Sequence, residues 1–150
     1  MAEIKDKVIT VESLKTLHDY NEEAYLKKID SNKLLWEGAE QMGDGAAVYF
    51  DELVSEQSHG VVLVFSRYNG GVKDIDFCSF FIPKYQTINH NHCGMNFIMS
   101  DVEGNVMAKK YLYIHDTGIT GYVNNNTTVN GSCSVNWTNN GFVLRYVVGV

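Results

Sequence analysis

VVLVFSRYNGG, residues 61–71, is the stretch whose reading decides the fold. Val61, Val62, Leu63, Val64 and Phe65 leave no polar face, the pattern of a short central strand covered on both sides. Asn69-Gly70-Gly71 is hairpin-turn chemistry, so the strand should reverse into an antiparallel partner. That partner is read in residues 72–85, where Ile75 and Phe77 alternate with Asp74, Asp76 and Cys78 before Phe80-Phe81-Ile82 stops at Pro83. Proline cannot donate to a ladder, so a sheet edge is expected near Pro83.

Further toward the C-terminus, residues 95–99 read as a short buried strand, and 101–105 as a turn. In residues 110–115, Tyr111, Tyr113 and His115 fall on one face and Leu112 and Ile114 on the other, giving one core face and one contact face. Thr117-Gly118 turns into residues 119–123, a polar loop covers 124–130, residues 132–137 follow, and Asn139-Asn140-Gly141 leads into the last strand, FVLRYVVGV. Arg145 in that apolar strand should be paired with an acid or placed at an interface. Toward the N-terminus, residues 33–38 (KLLWEG) and the alternating segment 47–54 supply two more strands. Eight to ten short strands at regular spacing predict a mainly β chain, with an antiparallel β-sandwich of jelly-roll type over residues 33–150.

Ahead of these strands, residues 10–28 (TVESLKTLHDYNEEAYLKK) predict an α-helix. Thr10 can cap its start, Glu12 suits the positive first turn, and Lys27 and Lys28 suit the negative last turn. Leu14, Leu17 and Ala24 fall at a and d positions of a short heptad pattern, with Asn21 at the intervening a position as a register device. A stripe this narrow on a helix about 27 Å long is marginal alone in water, so residues 1–32 read as a leader and a helix for oligomerisation or attachment. The other reading is an amphipathic helix packed on its own domain.

A chain of 150 residues is one domain by length, with a net charge of −6 and no large basic cluster, which argues against nucleic acid as a partner. Three cysteines without CxxC spacing indicate neither a disulfide scaffold nor a zinc knuckle. No apolar run approaches a membrane span and no signal peptide is recognisable, so synthesis in the cytoplasm without membrane insertion is expected.

The segments VITVESLKTLHDYNEEAYLKK, KLLWEGAEQM, GVVLVFSRYN, FFIPKY, KYLYIHDTGITG and NNGFVLRYVVGV together resemble small tail-tip proteins of prophages of Gram-positive bacteria. The resemblance covers nearly the whole chain and carries no catalytic motif. It implies a receptor-binding or baseplate protein in the virion, at the tail tip. Its helix would be an attachment and trimerisation segment, and its partners would be two further copies, other tail or baseplate proteins and a host cell-surface glycan.

Residue chemistry is compatible with saccharide binding, which uses aromatic platforms beside amide hydrogen-bonders: the second half supplies Tyr111, Tyr113, Tyr122 and Trp137 beside Asn124, Asn125, Asn126, Asn139 and Asn140, with Tyr111, Tyr113, Tyr122, Asn124, Asn126 and Trp137 as the expected binding residues. His90 and His92 would share a face of an extended strand, and around a threefold axis three chains would offer six imidazoles suited to iron or nickel. As loop residues they would instead be solvent-exposed. Asp74 with Asp76, or Asp51 with Glu52, could be imagined as a glycosidase carboxylate pair, but neighbouring acids on a strand are more often solvated. No nucleophile elbow, phosphate-cradling glycine loop or HExxH is present, so no catalytic residue and no cofactor is expected. The expected function is therefore a trimeric phage tail-tip protein that binds a cell-surface carbohydrate. A purely structural baseplate or fibre component and a cell-wall glycan hydrolase are the alternatives.

Overall fold

The computed structural model describes residues 12, 15–16, 18–19, 32–90, 92–130 and 136–150. The chain divides into two units, Met1–Ser31 and Asn32–Val150. In the first, Glu12, Lys15, Thr16, His18 and Asp19 have helical backbone, and the Thr16 hydroxyl donates to the Glu12 carbonyl at 3.0 Å. The seam residues Leu14, Leu17, Asn21 and Ala24 lie outside the described residues.

The second unit is mainly β and antiparallel, with little helix. Its strands are β1 (Lys33–Glu40), β2 (Ala47–Tyr49), β3 (Gly60–Arg67), β4 (Cys78–Pro83), β5 (Cys93–Ser100), β6 (Met107–His115), β7 (Gly118–Thr120), β8 (Thr128–Asn130), β9 (Asn136–Thr138) and β10 (Phe142–Gly149), with a short helix α1 (Lys84–Asn89) between β4 and β5. One sheet runs β1-β10-β3-β4, a second runs β2-β7-β6-β5, and β8 and β9 form a two-stranded ribbon.

The two four-stranded sheets share one apolar core. Val61, Leu63 and Phe65 of β3 and Leu144 and Val147 of β10 meet Phe97 and Met99 of β5, Leu112 and Ile114 of β6 and Ile119 of β7. The Phe97 ring bridges the sheets, 6.1 Å from Phe65 and 5.2 Å from Phe80. Each such side chain contributes roughly 1.5–3 kcal/mol by leaving water. β3 is central, as its apolar run requires, and β4 is an edge strand that ends at Pro83.

Arg145 is the extra residue of a β-bulge in β10, opposite the Phe65–Val64 step of β3. The bulge turns its guanidinium outward, where it donates to Asp74 at 2.9 Å, Ser66 Oγ at 3.2 Å and the Gly38 carbonyl at 3.2 Å. An acid partner is what the sequence calls for at this position.

Several local expectations fail, among them a strand over 119–123, which ends at Thr120, and a plain loop over 124–130, which holds a 3-10 turn and β8. Ile75 and Phe77 do not alternate along a strand, because Asp76 takes a φ of +53° and breaks the period; both apolar side chains are exposed. The segment 47–54 stops being a strand after Tyr49, where the Phe50 amide bonds the Thr117 carbonyl. A 3-10 turn follows at Val54–Glu56, with Ser55 N and Oγ donating to the Asp116 carboxylate at 2.7 and 2.8 Å. Residues 95–99 are half-buried rather than buried, since β5 is the edge of its sheet and turns Asn96 and Ile98 to solvent.

Candidate functional site

β6 has two different faces and two different edges. Ala108, Lys110, Leu112 and Ile114 point into the core, while Lys109, Tyr111, Tyr113 and His115 face outward, as period-2 alternation dictates. Along one edge β5 pairs with β6 over its whole length. Along the other, β7 covers only Tyr113 to His115, which leaves the backbone groups of Lys109 and Tyr111 without a neighbouring strand.

Two buried asparagines complete that edge. Asn125 Oδ1 accepts from the Tyr111 amide at 2.8 Å, and its Nδ2 donates to the Tyr111 carbonyl and to the Met42 carbonyl, each at 2.8 Å. Asn139 Oδ1 accepts from the Lys109 amide at 2.8 Å and its Nδ2 donates to the Asn124 carbonyl at 2.7 Å. A carboxamide carries the same donor and acceptor as a peptide group, so Asn125 stands in for one residue of a missing strand and Asn139 supplies the acceptor of another. Val129 and Trp137, from the described residues between them, stand beside the outward residues of β6.

The result is an open cleft of about 600 Å³. Its floor is Lys109, Tyr111 and Tyr113 of β6 with Asn96, the cross-strand partner of Tyr111 on β5. Its wall is Tyr122 and Asn124, continued by the ribbon through Val129 and Trp137, which pair directly. The Tyr111 ring lies 5.2 Å from Tyr113 and 5.5 Å from Tyr122, both edge-to-face, and Lys109 Nζ stands 6.0 Å from the centre of the Trp137 ring. Gly94 lets Tyr111 lie across β5: a Cβ there would meet Tyr111 Oη at 2.1 Å.

Five of the six expected sugar-binding residues therefore converge: Tyr111, Tyr113, Tyr122, Asn124 and Trp137. Asn126 does not. It packs on Gly43, where a Cβ would stand 2.5 Å from its Nδ2. The carboxamide that organises the site is its neighbour Asn125, buried among the backbone groups just described. Alternation backward from Tyr111 would have added Lys109 to the site, whereas Asn96 enters through strand register, which no local pattern encodes.

Lys110, on the inward face, is the residue the sequence conceals. Its ammonium is fully buried and donates to the Gln41 carbonyl at 2.9 Å, Gln41 Oε1 at 3.1 Å and the Asn125 carbonyl at 2.5 Å. Burial pushes its pKa down from 10.5 to about 7, partly opposed by the charge of Glu40. The amine thus ties the loop behind the cleft to the chain following β1.

The histidine pair does not sit on a strand. His90 caps the C-terminal end of α1, and His92 occupies a turn at φ +69° before β5 begins at Cys93. The same-face geometry assumed for His90 and His92 is absent. His92 instead stacks against Tyr113 at 4.7 Å and His115 at 4.4 Å. Burial, and secondarily His92, pushes the His115 imidazole below its ordinary pKa. Among the described residues, no group of three or more His, Cys, Asp or Glu could hold a metal ion, and no helix is long and apolar enough to cross a membrane. The acid pairs are committed elsewhere, Asp74 to Arg145 and Glu52 to Lys33, and no carboxylate lines the cleft.

Comparison with family models, with curated proteins and with solved structures returns no match.

Proposed function

We propose that this chain is a phage tail-tip protein that assembles as a homotrimer in the virion and binds a host cell-surface carbohydrate through the cleft on β6. The observation that carries this reading is the meeting of Tyr111, Tyr113, Tyr122 and Trp137 with Asn96 and Asn124 around one open cavity of about 600 Å³. Aromatic rings offer apolar surface to the C–H faces of a pyranose, and carboxamides both donate to and accept from its hydroxyls. A shallow, open cleft gives modest affinity per copy, and three linked copies multiply it by raising effective concentration.

The two sheets are read as a β-sandwich. The jelly-roll reading is supported by β1 against β10 and β2 against β7, while β3–β4 and β5–β6–β7 pair as local hairpins. Residues 10–28 are read as the helix that connects the tip to the tail. Self-association is supported by an apolar row on the outward side of the first sheet, where Leu34, Val148, Val62 and Phe81 stand in register across all four strands. Leu34 and Phe81 are 46 % and 52 % exposed there.

Isothermal titration of the full chain with polysaccharide purified from Gram-positive cell walls tests the reading. Binding that is lost in Trp137→Ala, with the melting temperature preserved, is expected. No binding above background would favour a purely structural baseplate component, and release of reducing sugar from the same polysaccharide would favour a cell-wall hydrolase.

A further inference from the structure

The aromatic surface does not stop where the cleft stops. From Tyr122 the rings run to Tyr111 at 5.5 Å, to Tyr113 at 5.2 Å, to His92 at 4.7 Å and to His115 at 4.4 Å. Each neighbour along this line is in ring contact with the next, and three of the five are successive outward residues of β6. The line is exposed at Tyr122 and His92 and half-buried at Tyr111, Tyr113 and His115, and what stands opposite adds little bulk: Gly94, the cross-strand partner of Tyr113, presents no side chain, and Asn96, opposite Tyr111, presents an amide. At the far end the His115 Nε2 lies 3.3 Å from Thr120 Oγ1, which holds the imidazole in place on the sheet. His92 reaches the line from outside β6, through the left-handed turn that ends α1 and starts β5.

We infer that the binding surface continues past the cleft along β6 to His92 and His115, and that its ligand is an extended oligosaccharide spanning several sugar rings rather than one terminal sugar. This rests on the carbohydrate reading of the cleft and deepens it. A single pyranose would be served by the Tyr111, Tyr122 and Trp137 end alone. A row of five contacting rings offers a repeating apolar track, which matches a polymer that repeats along its own axis. Imidazole and phenol edges along the track donate to and accept from ring hydroxyls, so the far end is equipped for sugar as the near end is. The charge balance also fits a glycan: among the described residues Lys109 is the one charged side chain that lines the cleft, and it lies at the Trp137 end, away from the histidines.

The test uses the full chain and cell-wall polysaccharide cut by mild acid and separated by size, from monosaccharide to long fragments. Histidine and tryptophan side-chain signals are followed by NMR during titration, which needs no variant. Long fragments should move the His92, His115 and Trp137 signals together, and the shortest fragments should move Trp137 alone. Paired substitution His92→Asn with His115→Asn should weaken binding of long fragments about tenfold and leave the shortest unchanged, since two ring contacts are lost. If long fragments move Trp137 but leave both histidines in place, the extended surface is refuted and the cleft reading stands. If no fragment moves any of the three, both are refuted.

Discussion

Replacing Lys110 by Met should change how stability depends on pH more than it changes stability itself. In the folded chain the Lys110 ammonium has a pKa of about 7 against an ordinary 10.5, with burial as the main cause. The unfolded chain keeps its proton up to about 10.5, so between the two values it binds more protons than the folded chain and stability rises with pH. Below about pH 7 both states are charged and this contribution is flat. Each pH unit inside the window is worth about 1.4 kcal/mol, and with half-titration at its lower end the rise from about pH 7 to about pH 9 is ~2 kcal/mol. Methionine fills the same space without a charge, and it deprives Gln41 and Asn125 of the donor they accept from. At acidic pH the lost hydrogen bonds and the relieved burial penalty nearly offset. At about pH 9 only the loss remains, and the variant is the less stable protein. Urea unfolding of both proteins at several pH values between about 6 and 9 measures the gap, which should widen by ~2 kcal/mol across the upper half of that range. A gap that stays constant with pH would refute the buried, half-titrated amine.

The neighbouring asparagines separate structure from surface. Asn125→Ala strands the Tyr111 amide and carbonyl, while the Met42 carbonyl keeps the Tyr122 amide; it should cost ~2–4 kcal/mol in urea unfolding, whereas exposed Asn126→Ala should stay within about 0.5 kcal/mol. Gly94→Ala places a methyl group where Tyr111 Oη lies; because the far end of a side chain can swing aside, glycan affinity should fall by several-fold with a melting temperature near that of the parent. Trp137→Ala should lower glycan affinity about tenfold or more, read by titration calorimetry, since it removes one wall of the cleft. Sedimentation of the full chain beside one beginning at Asn32 apportions assembly. A trimer in both assigns it to the β unit, a trimer in the full chain alone assigns it to residues 1–31, and a monomer in both refutes trimerisation.

The faces of strands were legible because period-2 alternation depends only on neighbours. Tyr111, Tyr113 and His115 could be set apart from Leu112 and Ile114 with no knowledge of the rest of the chain. Edges and partners were legible only at β3 and β4, where the Asn69-Gly70-Gly71 turn and Pro83 mark them; elsewhere they depend on which strands lie alongside. Nothing in Asn124-Asn125-Asn126 tells which of the three turns inward; that is decided by the gap beside β6, itself created by the shortness of β7. Lys110 reads as half of a basic pair with Lys109, yet alternation puts one in water and the other in the core. It is tolerated there because Gln41 and Asn125, far apart in sequence, supply three acceptors. In residues 73–77 the alternation was itself misleading, since the positive φ at Asp76 turns a strand-like pattern into a bend. The helix α1 follows from Pro83, whose fixed φ suits a helix start as well as a strand end.

The two carboxamides that finish the edge of β6 also bear on how the wall of the cleft can vary. Asn125 and Asn139 are fastened to β6 by their side chains, and among the described residues between them, 126–130 and 136–138, none belongs to the β5–β6–β7 ladder. Insertions, deletions and exchanges between those anchors would reshape one wall of the cleft while the sheet keeps its register. If the cleft binds a carbohydrate as proposed, its specificity could be changed there by swapping residues between two fixed asparagines.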